Sequence, residues 1–110
     1  MKVLFVCTAN VARSPMAEAV FRELAEHRGH HTRSAGTAST ATRRLTTRDV
    51  AWADLVAVME EAHRVVIRRR WPRHAVKVTV LGVPDDYDPD EPELRELLRE
   101  RIKSLLADFL

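Results

Sequence analysis

The chain has one cysteine, Cys7, in 110 residues. A lone cysteine excludes an intrachain disulfide and any multi-cysteine zinc site, and it points to a reducing, cytoplasmic setting. No apolar run approaches the roughly 20 residues needed to span a bilayer, so no membrane partner is expected. The first residues read as an early strand rather than a signal peptide, with one lysine and then a short apolar stretch. None of the five histidines stands at ligand spacing from another, His30 and His31 being adjacent, so neither metal nor cofactor is expected. Repeats, linkers and low-complexity segments are also missing, and residues 1–110 are expected to form one domain.

What is present is ordinary in amount and uneven in placement. Hydrophobic residues are 45% of the chain and charged residues 31%, the balance of a globular protein with a single core. Net charge is +2. From Arg28 to Arg48 there are basic residues and no acidic ones, whereas Asp85 to Glu96 is acidic apart from Arg95. These are either two solvated faces or a positive rim that steers an anion. Arg68-Arg69-Arg70 suits a helix C-terminus. Read as a nucleic-acid patch it lacks interleaved aromatics, and nucleic acid is not expected as a partner.

Apolar periodicity alternates between strand and helix. Residues 2–7 form a continuous apolar run, a buried strand. Residues 15–28 read as a helix with Ala17, Val20, Phe21, Leu24 and Ala25 on one face and Gly29 as its C-cap. A short strand is expected near His31–Ser34, a loop over 35–47 and a short helix near Thr47–Trp52. A second buried strand follows over Asp54–Met59. The next helix, Glu60–Arg70, is expected to turn Ala62, Val65, Val66 and Trp71 inward, and Trp71-Pro72 stops it. Val76, Val78 and Val80 alternate in a third long strand over 76–81, and Gly82–Asp90 is a loop. A last helix over 91–109 repeats Leu94, Leu97, Leu98, Ile102, Leu105, Leu106 and Phe109 at helical spacing. Strands alternating with helices imply βαβ units. The expected fold is a three-layer, doubly wound α/β domain with a four-stranded parallel sheet in the order 2-1-3-4. In such sheets ligands bind beyond the carboxyl ends of the strands, where Cys7 and Asp85 would meet.

Cys7 ends the first strand, and Arg13 follows it across Thr8-Ala9-Asn10-Val11-Ala12. Backbone N–H groups of such a loop and of the helix after it attract an anion, and arginine adds a planar fork of donors. The same positive field favours the thiolate, the nucleophilic form. Ser14 is placed to cap the helix and Pro15 suits its first position. The expected phosphate cradle is therefore Thr8, Ala9, Asn10, Val11, Ala12, Arg13 and Ser14. Ser14 Oγ is a possible donor to the Cys7 thiolate. Asn10 is the loop residue best able to adopt a left-handed conformation.

The segment Leu4 to Glu18 resembles the signature of the low-molecular-weight protein tyrosine phosphatases. Ser34-Ala35-Gly36-Thr37, Asp54 to Glu60 and Val83-Pro84-Asp85-Asp86-Tyr87 resemble further family segments in the same order. The likeness extends to a short bacterial subgroup with a Pro-Asp-Asp-Tyr loop. It implies a phosphomonoester hydrolase, protein tyrosine phosphatase-like, acting through a phosphocysteine on Cys7. The implied substrate is a phosphoprotein or small phosphoester, with inorganic phosphate as product. It also implies that Asn10 ties the loop to neighbouring hydroxyls such as Ser34. The leaving group needs a proton. Asp85 and Asp86 are both candidates for the acid, and the family register favours Asp85. Adjacent carboxylates repel, which favours retaining a proton on one of them. Tyr87 either borders the mouth of the site or anchors its loop.

Three departures bear on the expectation. A second loop cysteine, which in larger relatives allows a protective disulfide, is Ala12 here. A position often occupied by glycine is Ala9. The 35–47 loop carries no aromatic residue to sandwich a phosphotyrosine ring. The alternative functions are a phosphocysteine carrier, a non-catalytic phosphate-binding module, and an arsenate reductase, which would need further cysteines.

Overall fold

After Lys2, residues 2–7 have no polar position to turn toward water, which suits a strand covered on both faces. In the computed structural model, which describes residues 1–25 and 28–109, they form β1, Lys2–Cys7, with Val3 to Cys7 all buried. β1 pairs in parallel with β2, His31–Gly36, on one side and with β3, Leu55–Val58, on the other. β4, Val78–Val80, pairs with β3 at the far edge, so the order is β2-β1-β3-β4 as the pattern predicts. The helices are α1, Arg13–Ala25; α2, Thr47–Trp52; α3, Glu61–Arg70; and α4, Pro92–Phe109. Among the described residues, no helix is long and apolar enough to cross a membrane.

Alternation along β1 sends side chains to two separate cores. Val3, Phe5 and Cys7 join Ala17, Val20 and Phe21 of α1 and Leu94, Leu98 and Ile102 of α4. Leu4 and Val6 join Val50 near α2 and Ile67 and Trp71 at α3. Phe5 meets Phe21 edge to face at 5.7 Å. Burying one such side chain contributes about 1.5–3 kcal/mol.

Several expectations need correction. Helix α1 begins at Arg13, so Ser14 lies inside the first turn rather than capping it, and its hydroxyl is engaged elsewhere. The predicted continuation of that helix through 26 and 27 lies outside the described residues; Gly29 does hold a left-handed φ of 80°. The 76–81 strand shortens to Val78–Val80. Pro72 starts a 3-10 helix that runs to Lys77 and leaves Val76 89% exposed. In α3 the inward positions are His63 and Ile67, one turn apart, while Ala62 is exposed. Phe109, in the last turn of α4, is exposed despite its helical spacing.

Candidate active site

β1 delivers Cys7 to the edge of the sheet, and α1 starts six positions later at Arg13. Residues between them curl into a loop because Asn10 takes φ 54°, a left-handed value that asparagine tolerates better than most residues. The loop is held from outside by the segment after β2. Thr37 N donates to Cys7 O at 2.9 Å, Ala38 N to Thr8 O at 3.0 Å and Thr42 N to Ala9 O at 3.0 Å. Such close contact needs Gly36. A Cβ there would stand 2.5 Å from Thr8 O and 2.7 Å from Ala41 Cβ.

Inside the loop, polar groups converge on the thiol. Cys7 is 2% exposed. Its Sγ lies 3.0 Å from Ser14 Oγ and accepts the Asn10 backbone N–H at 3.3 Å. Asn10 Nδ2 donates to Ser14 Oγ at 2.8 Å and to Ser34 Oγ at 3.1 Å, and Ser34 Oγ donates to Glu18 Oε1 at 2.8 Å. A buried chain of hydrogen bonds thus runs from α1 through β2 and the loop to the sulfur. Networks of this kind gain strength when every member is satisfied.

Arg13 is buried and held on one edge. Nη1 donates to Glu60 Oε1 at 2.5 Å and to Val83 O at 2.9 Å. Nε lies 3.6 Å from Asp85 Oδ1. Two anchors on Nη1 fix the guanidinium plane, and the Nε–Nη2 edge, where Asp85 pairs with Nε, is the edge that an anion entering the cleft would meet.

A cleft of about 200 Å³ opens over these groups, lined by Cys7, Thr8, Ala9, Val11, Ala12, Arg13, Asp85, Tyr87 and Pro89. Asp85 is therefore at the cleft, whereas Asp86 is exposed and does not line it. Asn10 and Ser14 stand behind the loop rather than on the cleft wall. Tyr87 both lines the cleft and packs against the core. The basic segment does not ring the cleft. Arg33 and Arg43 both pair with Asp49, and Arg33 also covers Trp52 at 4.2 Å.

Glu60 and His63 are the residues that sequence reasoning missed. Glu60 sits at the carboxyl edge of β3, the same sheet edge as Cys7, so the topology rule could have flagged it. His63 Nε2 lies 2.9 Å from Thr8 Oγ1, and His63 Nδ1 accepts the Glu60 N–H at 3.0 Å. Burial lowers its pKa from the ordinary 6.5, and Arg13 lowers it further. Glu60 and Asp85 act in the opposite direction.

A buried thiol beside a hydroxyl, under a cleft with one arginine edge and one carboxylate, can hold a tetrahedral dianion and receive its phosphorus. Comparison with known proteins agrees. The family model for low molecular weight phosphotyrosine protein phosphatase matches residues 2–48. The chain is 31% identical to a protein-arginine-phosphatase of Bacillus subtilis over 98% of its own length and 99% of that protein's. It is 33% identical to a low molecular weight protein-tyrosine-phosphatase of Streptomyces coelicolor, covering 80% of this chain and 70% of the relative. Among solved structures, a mutant YwlE arginine phosphatase with a phosphorylated active-site serine superposes with a TM-score of 0.75. It is 33% identical, with 99% of this chain and 98% of that one covered.

Proposed function

Because this chain belongs to the low molecular weight phosphotyrosine protein phosphatase family, we propose that residues 1–110 act as one phosphatase domain on phosphorylated proteins in the cytoplasm. It is a cysteine-dependent phosphatase that works through a phosphoenzyme. The observation that carries the residue assignment is the thiol of Cys7 at the foot of the cleft, 3.0 Å from Ser14 Oγ, with Arg13 and Asp85 on the wall above it.

The Cys7 thiolate attacks phosphorus. The S–P bond forms as the bond to the leaving oxygen breaks, and Asp85 gives that oxygen its proton. Arg13 and loop N–H groups hold the equatorial oxygens as charge redistributes, which is catalysis by positioning and by fixed dipoles. Ser14 Oγ–H stabilises the thiolate before attack and again when sulfur leaves. Water, deprotonated by Asp85, then attacks the phosphocysteine and releases inorganic phosphate. Asn10 and Ser34 keep the loop in shape.

Phosphotyrosine is the substrate class we propose, with phosphoarginine as the alternative that the test below separates. Val11, 53% exposed, and Tyr87 both line the cleft, and together they offer apolar surface on which an aromatic ring can rest.

The test is hydrolysis of para-nitrophenyl phosphate under reducing, metal-free conditions. Cys7→Ser should lose turnover by about 10⁴-fold or more. Arg13→Ala should lose about 10²–10³-fold, and Asp85→Asn about 10²–10⁴-fold, with Asp86→Asn close to wild type. Phosphotyrosine and phosphoarginine peptides, compared by kcat/KM, decide the substrate class. One equivalent of product with no further turnover would favour a phosphocysteine carrier instead.

A further inference from the structure

We propose that His63 is a positioning residue that fixes the Thr8 hydroxyl as a hydrogen-bond donor to a phosphate oxygen in the cleft. The proposal rests on the phosphatase reading above and adds a side-chain donor to the loop's backbone donors.

The proton bookkeeping follows from two distances. The Glu60 backbone N–H can only donate, and it donates to His63 Nδ1 at 3.0 Å, so Nδ1 bears no proton. A neutral imidazole then carries its proton on Nε2, which lies 2.9 Å from Thr8 Oγ1. The ring therefore donates and the threonine oxygen accepts. A hydroxyl has one proton of its own. Among the described residues Thr8 Oγ1 has no other hydrogen-bond partner, and Thr8 lines the cleft with Cys7 and Arg13. Its O–H is thus left to donate to whatever acceptor enters there, and a phosphate oxygen is the strongest acceptor available to it.

The neutral ring is a built condition. His63 is buried in the first turn of α3. The charged groups that act on it are Arg13 from the start of α1, Glu60 from its own turn and Asp85 from the loop after β4. Protonation at Nδ1 would set one N–H against another and break the contact with Glu60 N. The same turn also presents the Glu60 carboxylate to Arg13. One helix turn thereby holds both ends of the phosphate loop, Thr8 through His63 and Arg13 through Glu60.

The experiment measures kcat, KM and competitive inhibition by inorganic phosphate for Thr8→Val, Thr8→Ser, His63→Leu, His63→Gln and the double variant Thr8→Val/His63→Leu. Thr8→Val and His63→Leu should each lower kcat/KM and weaken phosphate inhibition by about 10- to 100-fold. Thr8→Ser keeps the hydroxyl and His63→Gln keeps an N–H donor, so both should recover most of the loss. The double variant should be no worse than Thr8→Val, because His63 acts through that hydroxyl. Thr8→Val with wild-type kcat/KM and phosphate affinity would overturn the proposal. So would losses that multiply in the double variant. Thr8 is exposed, so its variants remain informative if His63→Leu does not fold. Cys7-dependent turnover alongside a silent Thr8→Val removes only the role of Thr8. Wild-type protein with no turnover removes the phosphatase reading as well.

Discussion

Asn10 shows how one residue joins backbone shape to chemistry. Its φ of 54° bends the loop, its N–H meets the sulfur and its amide reaches Ser14 and Ser34. Asn10→Ala loses both side-chain bonds and keeps a Cβ in an unfavourable conformation, so unfolding free energy should fall by about 2 kcal/mol. Asn10→Gly loses the same bonds without that conformational cost and should fall less. Urea titration of the two variants checks the order. Cys7, Arg13 and the left-handed Asn10 were legible from local sequence because strand, loop and helix follow one another without interruption. Between Asp85 and Asp86 only the family register favoured Asp85, and the residues themselves left both open. Adjacent carboxylates look alike in sequence, and only the path of the loop puts one of them 3.6 Å from Arg13.

At the scale of elements, β2 matters for where it ends. Gly36 is the point at which its backbone passes closest to the loop. Gly36→Ala should push the loop outward, and kcat/KM should fall more than stability does. Turnover and denaturation measured on one preparation separate the two effects. Helix α4 packs with α1 in the core that faces Val3, Phe5 and Cys7 of β1. Leu98→Ala should cost about 2–5 kcal/mol, whereas Phe109→Ala, on an exposed side chain, should stay within about 0.5 kcal/mol. Thermal or chemical denaturation distinguishes them. Strongly periodic elements such as β1, α1 and α4 were readable in advance. β4 was readable in existence and place but not in extent, because Val76 alternates with Val78 and Val80 like a strand while the 3-10 helix from Pro72 runs on to Lys77. At α3 the expected inward Trp71 is buried, but His63 and Ile67 rather than Ala62, Val65 and Val66 take the buried positions, and a histidine whose partner is far away in sequence leaves no apolar signal.

For the whole molecule, His63 couples the site to stability. Burial lowers its folded-state pKa below the ordinary 6.5, so the unfolded chain binds a proton that the folded chain resists. Its contribution is fully present above about 6.5 and is lost as pH falls through the lowered folded value. Denaturation midpoints should therefore drop below that pH in wild type, and the drop should be smaller in His63→Gln. The order of the sheet was legible from alternation and handedness rules. Contacts such as Thr8 to His63, 55 residues apart, were not, since no local pattern reports them. The central place of β1 has a further consequence for how the protein is made. Of the four strands β1 is made before its neighbours, whose paired residues follow 29 and 52 positions later (Lys2 with His31, Val3 with Leu55), and the Val83 carbonyl that anchors Arg13 comes 70 residues after that arginine. The segment through Asp85 must emerge before the nucleophile has its surroundings. Until β2 and β3 follow, an apolar strand with two open edges waits unpaired, which favours slow folding and exposure to aggregation early in synthesis.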